Sequence, residues 1–193
     1  MHRSVLRWVS TVLPVSAVVG RRVLEVGSGD VNGSVRPAVE AHRPTAYIGV
    51  DAADGPGVDL VVDCAELVST LGANTYDIVI TTEMLEHVVD WRPCVAQMCE
   101  VLRPGGTLVL TTRSPGFPYH PYPIDTWRYT LRAMGRILDT AGLLTWQLIP
   151  DPDPESPGVF AVAHKPLRWV APWAGRTVDD VFAGIHVEAV QAP

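Results

Sequence analysis

The chain has 193 residues, 47% hydrophobic and 19% charged, with a formal net charge of −6. That size and composition suit one globular domain with a buried core and argue against disorder. The negative balance argues against a broad phosphate-tracking surface, so nucleic acid is not an expected partner.

In chain order, residues 3–13 read as an amphipathic helix that is broken at Pro14 and covers part of the core. The apolar stretch running on to Val19 is interrupted by Arg7, Ser10, Thr11, Pro14 and Ser16. It is too polar and too short for a membrane span, and the strand that follows comes too soon for a removable leader. No membrane association is expected. Strand-like runs then recur at Val23–Val26, Ala46–Val50, Asp59–Val62, Tyr76–Thr81, Thr107–Thr111, Thr145–Ile149 and Val159–Ala163. Helical segments are predicted at about 33–43, 65–71, 91–103 and 130–141. The first five strands are almost wholly apolar, as parallel strands covered on both faces must be. Such alternation predicts a doubly wound α/β sheet of seven strands, mostly parallel.

Only the acidic, proline-rich stretch Asp151–Gly158 separates the last two strands. It is too short for a helical crossover, so they are predicted to pair antiparallel as a C-terminal hairpin. The tail from residue 166 carries Trp169 and Trp173, then Val178, Val181, Phe182 and Ile185 at helical spacing. A docked helix and a protein contact are both open there. The expected organisation is a single domain over 1–193, with its core at about 20–165. Cys64, Cys94 and Cys99 are widely spaced and lack any CxxC pairing. They read as free thiols in a reducing cytoplasm.

The chemistry is concentrated at the strand ends. Val23–Val26 runs into Gly27-Ser28-Gly29, where glycines let the backbone approach a ligand closely. Asp51 ends the next strand 22 residues after Gly29, where a carboxylate can accept from both hydroxyls of a ribose. Gly27, Gly29 and Gly33 form GxGxxxG, one residue longer than the dinucleotide fingerprint. Glu25 stands at the mouth of this turn and Asp30 lies within it, crowding the place where a pyrophosphate would put its charge. Two carboxylates suit a ligand bearing an ammonium or a sulfonium, which favours S-adenosylmethionine over a nicotinamide dinucleotide.

Here the chain resembles the class I S-adenosylmethionine-dependent methyltransferases of the small stand-alone type. The resemblance is carried by Glu25–Gly29, Tyr47–Asp51, Val61–Cys64, Tyr76–Ile80 with Thr81–Val88, and Leu102–Leu108, in order over roughly residues 20–165. It implies a Rossmann-like fold and cofactor contacts from Glu25, Gly27, Ser28, Gly29, Asp51, Asp63, Cys64 and Glu83. Glu25 would hold the cofactor's amino group. Asp63 has two readings, adenine contact and N-cap of the next helix, and Glu83 has a rival reading as a helix start. Many members carry a further glycine where this chain has Val31, so the loop at Asp30–Asn32 is expected to be reshaped.

Ligands of open α/β sheets bind beyond the carboxyl ends of the strands. The segment Thr112–Tyr129 is therefore placed to face a methyl acceptor. Its prolines stiffen a wall in which Phe117, Tyr119, Tyr122 and Trp127 are candidate substrate contacts, while Arg113 and Arg128 suit an acidic acceptor. The alternative is a plain lid packed on the sheet. His120 is the first candidate base, with Asp125 as its orienting partner, and His87 is the second. No run of carboxylates and histidines has metal-ligand spacing, so no metal is expected. The reading is a cytoplasmic enzyme transferring methyl groups to a small molecule, most simply at a hydroxyl. Its rivals are a binding protein that retains cofactor without transfer and a nicotinamide-dependent reductase.

Overall fold

The computed structural model describes residues 2–192. The chain order is α1 (Arg3–Val12), α2 (Val15–Val18), β1 (Arg22–Val26), α3 (Arg36–Glu40), β2 (Ala46–Asp51), β3 (Leu60–Val61), α4 (Leu67–Leu71), β4 (Tyr76–Thr82), α5 (Trp91–Val101), β5 (Leu102–Arg113), β6 (Trp127–Arg128), α6 (Leu131–Thr140), β7 (Leu144–Pro150), β8 (Gly158–His164), α7 (Val178–Val181) and β9 (Glu188–Ala189). Short 3-10 turns at Cys64–Glu66 and Leu85–His87 precede α4 and α5.

Seven strands form one sheet in the order β3-β2-β1-β4-β5-β8-β7. The first five are mutually parallel, and β8 runs antiparallel between β5 and β7. The C-terminal hairpin expected from the proline-rich connection is therefore present. Successive strand residues face opposite sides, which divides the core in two. Leu24, Val26, Val79, Leu108 and Leu110 point to the side covered by Val95 and Met98 of α5 and by Met134 and Ile137 of α6. Val23, Ile78, Ile80, Val109, Phe160 and Val162 point to the other side, under Val5, Trp8 and Val9 of α1 and Val39 of α3. Strand order reverses at β1 and β4, whose ends open the crevice that holds the site.

Several boundaries differ from the sequence expectations for identifiable reasons. The helix predicted from residue 33 begins only at Arg36, because Gly33 takes a φ of 108°, and it ends before Arg43, at φ 57°. Strand β5 starts at Leu102 rather than Thr107, since Gly105 and Gly106 already exchange backbone hydrogen bonds with Lys165. The tail docks, but α7 is a single turn. Phe182, Ile185 and Val187 are buried, with Phe182 edge-on to Trp91 at 5.2 Å. A two-stranded sheet of β6 with β9 has no counterpart in the sequence reading.

The expectation of three free thiols is overturned. Cys64 at the start of its 3-10 turn and Cys94 in the first turn of α5 form a disulfide, with Cα atoms 4.9 Å apart, while Cys99 stays free and buried. Pairing across 30 residues is set by how α5 packs on that turn, not by local spacing. The thiol argument for a reducing compartment falls with it. Among the described residues, no helix is long and apolar enough to cross a membrane.

Candidate active site

A cavity of about 1210 Å³ lies over the carboxyl ends of β1, β2 and β4. Its floor is the turn after β1. Gly27 has a φ of 78°, and a Cβ there would collide with the Met84 side chain, so glycine is required. The Gly27 and Ser28 amides donate to the Val50 carbonyl, and the Gly29 amide donates to Asp51 Oδ2 at 3.0 Å. The neighbouring strand tip is thereby locked onto the glycine turn. Asp30 folds back to accept from the Gly33 amide at 2.8 Å, which accounts for the reshaped loop where Val31 stands.

Glu25 is 1% exposed, and the Tyr47 hydroxyl donates to it at 2.7 Å. Burial raises its pKa from 4.5 to about 7. An acid so placed gains from a cationic partner. Asp63 fulfils the capping reading, accepting from the Ala65 amide at 2.8 Å, and it lines the cavity as well. Cys64 lines the cavity as half of a disulfide rather than as a thiol. Glu83, at φ 56°, accepts from Thr111 Oγ1 at 3.0 Å and pairs with Arg113. The eight residues expected to hold the cofactor, Glu25, Gly27, Ser28, Gly29, Asp51, Asp63, Cys64 and Glu83, all line this one cavity.

Asp30, Asp54 and Asp90 bring the lining carboxylates to seven, and no lysine or arginine lines it among the described residues. A pyrophosphate would meet repulsion on every side. An amino-acid nucleoside carrying ammonium and sulfonium charge fits, and the same wall holds the buried Ser28 Oγ and Thr82 Oγ1, which have no hydrogen-bond partner among the described residues.

The 112–129 segment divides sharply. His120 and Tyr122 reach the cavity, beside His87 from the turn after β4. His120 Nδ1 lies 3.1 Å from Asp125 Oδ2, which also accepts from the His120 amide at 2.8 Å. The same carboxylate grips Arg128, at 2.5 and 2.7 Å, and its pKa is held down to about 2. Burial, ahead of the opposing pull of Asp125, lowers the pKa of His120. His87 Nδ1 hydrogen-bonds the Ile124 carbonyl.

The arginines are a correction. Arg113 is fully buried, donates to Asp151 Oδ2 and the Ser156 carbonyl at 3.0 Å each, and pairs with Glu83. Arg128 is 3% exposed and saturated by Asp125 and the Pro118 carbonyl. Neither lines the cavity, because internal carboxylates already satisfy them. Phe117 is sandwiched beside Arg113 and His120, Trp127 donates to the Val88 carbonyl, and Tyr119 is on the surface. These three also lie outside the lining.

Residues not anticipated from sequence include His2, Asp54, Met84 and Asp90 in the lining and buried Glu86 behind it. His2 carries no local motif, since it arrives by the docking of α1, with Ser4 donating to Asp151. Glu86 was legible only as the acidic neighbour of His87.

A family model described as a methyltransferase domain matches residues 1–148. The chain belongs to the methyltransferase-domain family. A ubiquinone biosynthesis O-methyltransferase of Thiobacillus denitrificans is 30% identical over 68% of this chain and 60% of its own length. The chain thus spans less than two thirds of that relative. Among solved structures, a Burkholderia thailandensis 1,6-didemethyltoxoflavin-N1-methyltransferase with bound S-adenosylhomocysteine superposes with a TM-score of 0.66 at 16% identity, over 83% of this chain and 78% of that one. The [4+2]-cyclase SpnF superposes with a TM-score of 0.65 at 16% identity, over 84% and 80%. The fold is therefore the methyltransferase Rossmann-like fold, and the reaction has to be argued from the site.

Proposed function

We propose that this chain is a single-domain methyltransferase that uses S-adenosylmethionine to methylate a hydroxyl of a small molecule. Bound S-adenosylmethionine would supply an activated methyl group on a sulfonium. The remaining work falls to the protein's own groups. Glu25 would hold the cofactor's ammonium, Asp51 its ribose, and the wall at Asp63 and Cys64 its adenine. His87, Val88, Tyr122 and Ile124 would shape the acceptor end, where excluding water and aligning the oxygen give most of the rate.

The observation that carries the reading is one open cavity shared by the acids at the strand ends and by His120. With Nδ1 anchored on Asp125, His120 keeps Nε2 as a proton acceptor, and its lowered pKa leaves it neutral near pH 7. The oxygen specificity is supported by the O-methyltransferase relative. A nicotinamide-dependent reductase is disfavoured by the acidic lining, and a non-catalytic binder by the open acceptor end. The test is transfer of a labelled methyl group to a panel of small phenols and sugars. His120→Ala should keep S-adenosylhomocysteine affinity and lose about 10²–10⁴-fold in turnover. Unchanged turnover would remove His120 as the base, and an inert protein across hydroxyl, amine and carbon acceptors would remove the enzyme reading.

A further inference from the structure

Glu86, His87 and His120 come together at the acceptor end of the cavity. Each offers one ligand atom, and the three atoms lie within 4.8 Å of one another. The expectation of no metal rested on the lack of local ligand spacing. Glu86 and His87 are adjacent, however, and the fold brings His120 to them across 33 residues, with the two rings edge-on at 4.9 Å.

The surroundings of each group have the form of a metal-ligand support. A ligating imidazole needs its second nitrogen tied to a carbonyl or carboxylate, which fixes the tautomer and aims the first. His87 has Nδ1 on the Ile124 carbonyl, and His120 has Nδ1 beside Asp125 Oδ2 and 3.2 Å from the Pro118 carbonyl. Both rings therefore keep Nε2 as the unshared lone pair. Glu86 is wholly buried, with Oε2 accepting from Thr112 Oγ1 at 2.8 Å and Oε1 lacking any hydrogen-bond partner among the described residues. A buried carboxylate oxygen left without a partner is costly unless something cationic meets it.

We propose that Glu86, His87 and His120 form a binding site for a divalent transition-metal ion of the zinc class, open toward the acceptor end of the cavity. Two imidazoles and one carboxylate are a donor set for zinc-like ions, whereas magnesium and calcium prefer oxygen alone. Three protein ligands leave a coordination position for a substrate oxygen. An ion there would hold the acceptor hydroxyl and favour its ionised form, the proton leaving to bulk water. In that state His120 is a ligand instead of a base, because both roles use Nε2. The role in methyl transfer rests on the proposed function; the binding of the ion does not.

The experiment is calorimetric titration of Zn²⁺ into EDTA-stripped, buffer-exchanged full chain, with S-adenosylhomocysteine binding measured in parallel. One equivalent of Zn²⁺ should bind. His87→Ala, His120→Ala and Glu86→Gln should each weaken it by at least about 10- to 100-fold. His186→Ala, on the exposed tail, should bind like wild type. S-adenosylhomocysteine affinity in the two histidine variants reports that their fold and cavity are intact. No saturable Zn²⁺ binding by protein that binds S-adenosylhomocysteine overturns the site and leaves the methyltransferase reading standing. Zn²⁺ binding that survives both His87→Ala and His120→Ala overturns it too. Zn²⁺ binding without S-adenosylhomocysteine binding upholds the site and counts against the methyltransferase reading instead.

Discussion

The strand tips around the turn after β1 and the segment after β5 both carry charged residues, yet they use them in opposite ways. Around Gly27–Gly29 the carboxylates face a cavity, and the backbone does the fixing, through Gly29 on Asp51 and Gly27 on Val50. Around Arg113–Arg128 the charges face each other, and the side chains do the fixing. A carboxylate that accepts only amide or hydroxyl hydrogen bonds keeps acceptor capacity for a ligand, whereas a charge locked in a buried ion pair does not. The polar residues of the first region are left for a ligand, while those of the second mostly hold His120 and the segment itself in place.

The strongest way to break that contrast is at Arg113. If it is structural, Arg113→Ala strands Asp151 and Glu83 and should cost about 3–5 kcal/mol in urea unfolding. A substrate-binding arginine would instead leave stability intact and raise KM. Next in size, Asp51→Ala removes an acceptor from the cavity and from Gly29. It should weaken S-adenosylhomocysteine by roughly 10- to 100-fold in calorimetry while the protein stays folded. A change below twofold would dissociate Asp51 from the ligand.

The finest probe is pH. With its pKa raised to about 7, Glu25 is protonated in the free protein in mildly acidic solution. Its contribution to folding is full below about 4.5 and is lost as pH rises through about 7. An ammonium beside it favours the carboxylate, so binding must expel that proton. The Kd of S-adenosylhomocysteine should therefore fall with rising pH, by up to about tenfold per unit, and level off above about 7. Glu25→Gln should flatten this profile. A profile that persists in that variant assigns the titration elsewhere.

What could be read in the sequence follows the same division. The strand tips, the glycine turn and Asp51 were legible because each is specified by neighbours in the chain and by strand alternation. Chain-local patterns also gave the seven strands and the hairpin. Arg113 was misread because its partner, Asp151, lies 38 residues away and is chosen by tertiary packing. Arg128 was misread although its partner, Asp125, is only three residues away, because Asp125 was assigned to His120 alone. Tertiary packing also chooses the Cys64–Cys94 bridge and the approach of His120 to Glu86. Strands β6 and β9 are two residues each, too short to carry any periodicity. His2 joins the cavity only because Val5, Trp8 and Val9 bury one face of α1 against the sheet. Side chains recruited across the fold leave no spacing signal.

The acid-lined hollow at the strand tips should take a positively charged amino-acid nucleoside and refuse a diphosphate. Calorimetry of the full chain with S-adenosylhomocysteine and, separately, NADH tests it most directly. The account predicts saturable one-to-one binding of S-adenosylhomocysteine and none of NADH. Saturable NADH binding without S-adenosylhomocysteine binding would contradict it.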